Sequence, residues 1–165
     1  MVQLARSAIE AYIKEGKIIT PPAELTPEMK VKAGVFVSLK KQGELRGCIG
    51  TFYPAEENVA KEIIKNAISS AAHDPRFLPV EAYELKDLSI SVDVLTKPEK
   101  VASIEELNAK KYGVIVQAGE LKGLLLPDLE GINTPEDQIA LCRRKAGIGE
   151  HEPVELYRFE VKRYK

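Results

Sequence analysis

Tryptophan is absent from the 165-residue chain, and cysteine and histidine occur only twice each. Two cysteines, Cys48 and Cys142, cannot build a disulfide framework, so a reducing cytoplasm is the expected setting. With only His73 and His151 beside them, and no close Cys/His spacing, no structural zinc site is expected. No apolar run approaches the ~20 residues of a membrane span. The opening Met1-Val2-Gln3-Leu4-Ala5-Arg6 lacks a charged leader followed by an apolar block, so no secretory signal is expected. An excess of one charge is missing too: 24 Lys and Arg against 25 Asp and Glu leave a net charge of −1. That balance argues against a broad nucleic-acid or anionic-membrane surface, while allowing a local basic pocket. Glycine-rich phosphate loops, metal-binding motifs and Ser/His/Asp arrangements are not visible, and no cofactor is expected.

What remains is an ordinary globular composition, 44% hydrophobic and 30% charged, long enough to bury one substantial core as a single folding unit. The organising stretch is Gly43-Glu44-Leu45-Arg46-Gly47-Cys48-Ile49-Gly50. It follows the apolar run Gly34-Val35-Phe36-Val37-Ser38-Leu39 across Lys40-Lys41-Gln42, which reads as a β-hairpin. In an extended 44–50 segment Leu45 and Ile49 share one face, and Arg46 and Cys48 the other. Gly47 and Gly50 leave backbone uncovered, where a ligand or another chain segment can come close. An arginine beside a cysteine favours thiolate over thiol.

The pattern recurs. Gly113-Val114-Ile115-Val116 followed by Gly119-Glu120-Leu121-Lys122-Gly123-Leu124-Leu125-Leu126 copies the first hairpin, with Lys122 for Arg46 and Leu124 for Cys48. A helical pattern and then a strand-like run follow each copy, so a hairpin–helix–strand unit is expected twice, over about 34–96 and 113–163. Thiol chemistry would belong to the first copy alone.

Around the hairpins, residues 2–15 read as an amphipathic helix ended by Gly16, and 20–32 as an irregular ordered crossing. A second helix is expected over about 57–72, burying Val59, Ile63, Ala67, Ile68 and Ala71 and turning Glu57, Lys61, Glu62 and Lys65 outward. Residues 87–95 alternate as a half-buried strand. Ser103-Ile104-Glu105-Glu106 carries a capping-box pattern opening a short helix. Thr134-Pro135-Glu136-Asp137 starts a further helix closed by Gly147. Val154 to Val161 alternates as the last strand. About six strands and three or four helices, in a hairpin-rich order, point to an α+β fold with a largely antiparallel sheet.

The motifs resemble those of the AMMECR family, also called AmmeMemoRadiSam system protein A. Leu45-Arg46-Gly47-Cys48-Ile49-Gly50, Asp74-Pro75-Arg76-Phe77, Gly123-Leu124-Leu125-Leu126-Pro127, and Cys142 followed by Lys145-Ala146-Gly147 occur in that order over nearly the whole chain. The resemblance implies one domain over residues 1–165, with two related α+β repeats sharing one barrel-like sheet. It also implies coding beside a Memo-type protein and a radical S-adenosylmethionine protein, with no assigned reaction.

Two functional readings follow. The favoured one is a cytoplasmic accessory protein binding Memo-like and radical S-adenosylmethionine partners or a small acidic metabolite. Arg46, Gly47, Gly50, Asp74 and Arg76 would line its site, since arginine forks bind carboxylate or phosphate bidentately. The alternative is a small enzyme with Cys48 as nucleophile or redox thiol and Arg46 and Arg76 holding an anionic substrate. Here the N-terminus of the second helix, a short loop downstream, would assist the thiolate. Each motif also has a plain structural reading: Cys48 as core filler, and the arginines in internal ion pairs with Asp74 or Asp93. A Cys48/His73 pair is disfavoured, because a 57–72 helix is about 24 Å long and would separate them. His73 then caps the helix or lies on the surface, and His151 is solvated. Cys142 packs in the core, and Arg143-Arg144-Lys145 complements a helix C-terminus.

Overall fold

The computed structural model describes residues 1–165. Helix α1 (Val2–Glu15) is followed by a one-turn helix α2 (Pro27–Lys30). Strands β1 (Val35–Lys41) and β2 (Glu44–Thr51) form the first hairpin, and helix α3 (Val59–Ala72) leads to β3 (Leu88–Leu95). The short β4 (Glu99–Val101) precedes the second hairpin, β5 (Gly113–Ala118) and β6 (Leu121–Leu125). Helix α4 (Pro135–Ala146), β7 (Glu155–Phe159) and β8 (Val161–Tyr164) complete the chain. Two 3-10 turns, Ala82–Asp87 and Ile104–Glu106, carry capping boxes. No helix is long and apolar enough to cross a membrane.

The local signals act as physical chemistry dictates. Gly16 and Gly147 end α1 and α4 in left-handed conformations, which glycine adopts without a Cβ clash. Asn58 and Thr134 accept backbone N–H groups of Lys61 and Asp137 and so start α3 and α4.

The chain divides into two compact units, residues 1–95 with 162–165, and residues 96–161. In the first, the sheet runs β2-β1-β3-β8. Val35, Val37 and Leu39 on one face of β1 pack with Ala5, Ala8 and Ile9 of α1 and Val59, Ile63 and Ala67 of α3. In the second, the sheet runs β4-β7-β5-β6, and Val114, Val116 and Leu125 pack with Cys142 of α4.

Two expectations need correcting. One barrel-like sheet was expected, and the strands instead form two sheets of four with no closed barrel. The alternation from Val154 to Val161 is also not one strand. It breaks at Glu160, so that β7 joins the second sheet and β8 the first. The physical reason is shared: β4 follows β3 in sequence but pairs with β7, while β8 follows β7 and lies beside β3. Periodicity reports which face of a strand is apolar, not which sheet receives it.

Candidate functional site

The first hairpin and α3 build the site. Three polar side chains on the face of α3 turned to the hairpin, Glu62, Asn66 and Ser70, are continued at the same i+4 spacing by Asp74 just past the C-cap His73, and all four are buried. Glu62 accepts the Thr51 hydroxyl and the N–H groups of Ala55 and Glu56. Its expected outward position is therefore wrong: three donors compensate a carboxylate taken out of water. Asn66 donates to the Val35 carbonyl at 3.0 Å. The Ser70 hydroxyl accepts the Ile49 N–H at 2.8 Å and reaches the Val37 carbonyl at 2.8 Å. Asp74 accepts the Cys48 N–H at 2.9 Å.

Gly47 is what allows this approach. A Cβ at Gly47 would lie 2.1 Å from the Ser70 carbonyl oxygen, and one at Gly50 would lie 2.2 Å from the Phe36 ring. Both glycines thus yield to the chain's own groups.

The two arginines differ. Arg46 forks onto Glu84, from Nε at 3.1 Å and Nη2 at 2.8 Å, and also donates to the carbonyls of Leu78 and Pro79. Lys41 adds a third bond to Glu84 at 2.9 Å. The Arg46 guanidinium beside it, with the Glu81 N–H and Lys41, lowers the Glu84 carboxyl to about 2 despite burial. Arg76 forks onto Asp74, from Nε at 3.0 Å and Nη2 at 2.7 Å, and Nη2 donates to the Cys48 carbonyl at 3.0 Å. That fork, with the backbone N–H groups of Cys48 and Arg76, holds the Asp74 carboxyl well below the usual carboxylate range. Asp74 raises Arg76 above its ordinary value, with a smaller contribution from the Cys48 side chain. The Arg76 side chain remains 54% exposed, with its guanidinium over the Phe77 ring at 5.4 Å.

Cys48 is half-buried, opposite Ser38 across the hairpin, with Sγ 3.2 Å from the Ser38 hydroxyl. Its bond to Asp74, just past the C-cap His73, places it at the C-terminal end of α3. The expectation that the helix N-terminus assists a thiolate is thereby overturned, since that positive end lies at the other extremity. The hairpin runs along α3 with Thr51 at its start and Cys48 at its end. His73 is exposed and sits near the Tyr12 hydroxyl at 3.4 Å, and His151 is exposed in a turn. Cys142 is fully buried, its thiol pushed up to about 12 by burial. Arg143 does more than complement a helix end, since it donates to the carbonyls of Gly149 and Glu152. Asp93 pairs with Arg163 rather than with either motif arginine.

The structure thus brings Arg76, Asp74, Cys48 and Gly47 together, places Gly50 one step along β2, and draws Arg46 to Glu84. Sequence reasoning missed Glu84, Ser38 and Ser70. The i+4 spacing of Glu62, Asn66, Ser70 and Asp74 was a usable signal for Ser70. Glu84 lies 38 positions from Arg46 and carries no local signal. No group of three or more His, Cys, Asp or Glu is placed to hold a metal ion.

The architecture defines an α+β protein in which each of two sheets carries a hairpin crossed by a helix. The AMMECR1 family profile matches residues 2–164, and the chain belongs to that family. A protein of Thermotoga maritima is 51% identical over 167 residues, which cover 99% of this chain and 96% of that protein. A protein of Clostridium acetobutylicum is 52% identical over 99% of this chain, which spans only 35% of that longer protein. The crystal structure of an uncharacterized protein from Pyrococcus horikoshii superposes with a TM-score of 0.88 at 37% identity, covering 98% of this chain and 87% of that one.

Proposed function

We propose that this is a cytoplasmic accessory protein, a single domain with an internal duplication, that binds an anionic group of a metabolite or partner through Arg76. The Memo-like and radical S-adenosylmethionine proteins implied by the family resemblance are the partners to test first. One observation carries the reading. Arg46 spends its guanidinium on Glu84 and two carbonyls, whereas Arg76 is pinned by a buried carboxylate, stays half exposed, and uses only Nε and Nη2 within the chain. Such a pinned fork presents Nη1 to an external carboxylate or phosphate at little entropic cost. Thermal-shift screening with carboxylate and phosphate metabolites, and co-purification with the two partner classes, are expected to give binding that Arg76→Ala weakens about tenfold or more, as loss of a charged hydrogen bond costs ~1.5–3 kcal/mol. Absence of any shift or partner, or binding indifferent to Arg76, overturns the reading.

The alternative, an enzyme using Cys48, is favoured by the Ser38 hydroxyl 3.2 Å from Sγ. Alkylation at neutral pH discriminates, since buried Cys142 stays silent in the native state. Labelling of Cys48 faster than a free cysteine supports the enzyme, and labelling only on unfolding removes it.

A further inference from the structure

Helix α1 and the segment 79–86 of the first unit leave a trough between them, made of two adjoining cavities of about 370 and 480 Å³ that share Ala82. Each volume falls in the range of small-molecule sites, and neither Arg46 nor Arg76 lines either cavity. The two ends differ in chemistry. At one end Arg6, Lys14 and Lys86 line the wall with a single carboxylate, Glu10, so three cations meet one anion. Arg6 is held in place by the carbonyls of Leu85 and Leu88, at 3.2 and 2.8 Å. Those carbonyls satisfy its donors but do not neutralise its charge. Glu10 stands 3.9 Å from Arg6 and 3.6 Å from Lys14, shared loosely between them, and the exposed Lys86 makes no ion pair. A cleft lined by one sign of charge concentrates ligands of the other. The ring of Tyr83, 68% exposed, lines the same end. At the other end Ile13, Pro79 and Val80 give apolar walls, with the Tyr12 hydroxyl, 3.4 Å from His73 Nε2, and Glu81 among them.

We propose that this trough binds a nucleoside phosphate, with the phosphates at the cationic end and the base toward the apolar one. Phosphate is the fitting anion because a phosphoryl group carries close to two negative charges at neutral pH, matching the two surplus cations. A nucleobase is the fitting body because it offers a flat face to an aromatic ring such as Tyr83, and edge donors and acceptors to Tyr12, His73 and Glu81. The overall charge of −1 is no obstacle, since the excess is local. This site goes beyond the anion contact at Arg76 and does not depend on it.

The test is titration calorimetry of the full chain with ADP, GDP, CDP and UDP, beside their parent nucleosides and inorganic phosphate. At least one diphosphate is expected to bind with a Kd below about 1 mM, and about tenfold or more tighter than both its nucleoside and inorganic phosphate. Lys14→Ala combined with Lys86→Ala, at two exposed positions whose loss leaves the fold and Tm intact, is expected to weaken that binding about tenfold or more by removing two charge-assisted contacts. Tyr83→Ala is expected to weaken it severalfold through lost stacking, and to leave the weak binding of inorganic phosphate unchanged. Arg76→Ala is expected to bind the diphosphate as the parent does. Failure of all four diphosphates to bind below about 1 mM overturns the proposal. A diphosphate that binds no tighter than inorganic phosphate also overturns it, because the trough is then a charged patch and not a nucleotide site. Binding that survives the loss of both lysines, or that disappears in Arg76→Ala, puts the nucleotide at the hairpin instead. That result overturns the trough while leaving the Arg76 reading standing.

Discussion

In the first unit the carbonyl of Ser70 stands where a side chain of Gly47 would be, and in the second the carbonyl of Cys142 stands where a side chain of Gly123 would be, each 2.1 Å from the absent Cβ. Four residues earlier in each helix a buried amide reaches back to the hairpin: Asn66 to the Val35 carbonyl, Gln138 to the Tyr112 carbonyl. The backbone solution is shared, and the chemistry within it is not. Ser70 inserts a hydroxyl between β1 and β2, where Cys142 supplies a thiol 3.9 Å from Val114 O. Cys48, with both backbone groups engaged by an ion pair, stands opposite Ser38, where Leu124 stands opposite Ile115. A single lysine, Lys145, reaches the Leu124 carbonyl. The second hairpin shows that a helix can cross this frame with a largely apolar seam. The carboxylates and arginines of the first are therefore surplus to packing, which is the physical ground for seeking function there.

The comparison breaks hardest at Glu84. Glu84→Gln strips Arg46 and Lys41 of their shared partner and is expected to cost about 3 kcal/mol at neutral pH, measured by urea unfolding, as for other disrupted buried pairs. Because the folded value of about 2 lies below the ordinary 4.5, the contribution of Glu84 is complete above 4.5 and is lost as pH falls toward 2. Stability of the parent should fall across that window, and more shallowly in Glu84→Gln. An unchanged slope would mean that Glu84 is not the titrating group.

Gly47→Ala and Gly123→Ala sharpen the shared half of the comparison. Each methyl meets a helix backbone carbonyl rather than a flexible side chain, so similar losses of about 2–3 kcal/mol are expected in thermal unfolding. A neutral result at either glycine would end the claim that both hairpins are crossed in the same way.

Ser70→Ala and Cys142→Ala give the smallest effects and separate the two seams. Losing the hydroxyl leaves the Ile49 N–H and Val37 carbonyl without it, at about 2 kcal/mol. Losing the thiol removes one buried sulfur, at about 1 kcal/mol. Equal losses would argue that the Ser70 hydroxyl carries no special share of the hairpin's hydrogen bonding.

Much of this frame was legible from sequence. Both hairpins, the three long helices, the Gly16 and Gly147 ends, the Thr134 start and strand 88–95 follow from period and punctuation, which are local, whereas the Asn58 cap that starts α3 was not read. The site was legible only in outline. A helical wheel sends every carboxylate outward, so Glu62 was misplaced, though its i+4 partners Asn66, Ser70 and Asp74 marked a polar seam. The direction in which β2 runs along α3 decides whether Cys48 meets the helix start or its end, and no residue near Cys48 encodes it. Arg46 was read as a ligand group or a partner of Asp74 or Asp93, yet its carboxylate is Glu84, in a 3-10 turn too short to show a period. The exchange of β4 and β8 between sheets was invisible for a like reason, since strand alternation carries no address.

That exchange has a consequence for biosynthesis. A ribosome delivers β1, β2 and β3 early, but the strand that flanks β3, with Arg163 for the buried carboxylate of Asp93, emerges only after the whole second unit. At about 5–20 residues per second the nascent chain waits several seconds with that edge bare. A pause in translation between residues 96 and 160 would prolong the interval in which the β3 edge of the first sheet is open to a passing strand or a chaperone.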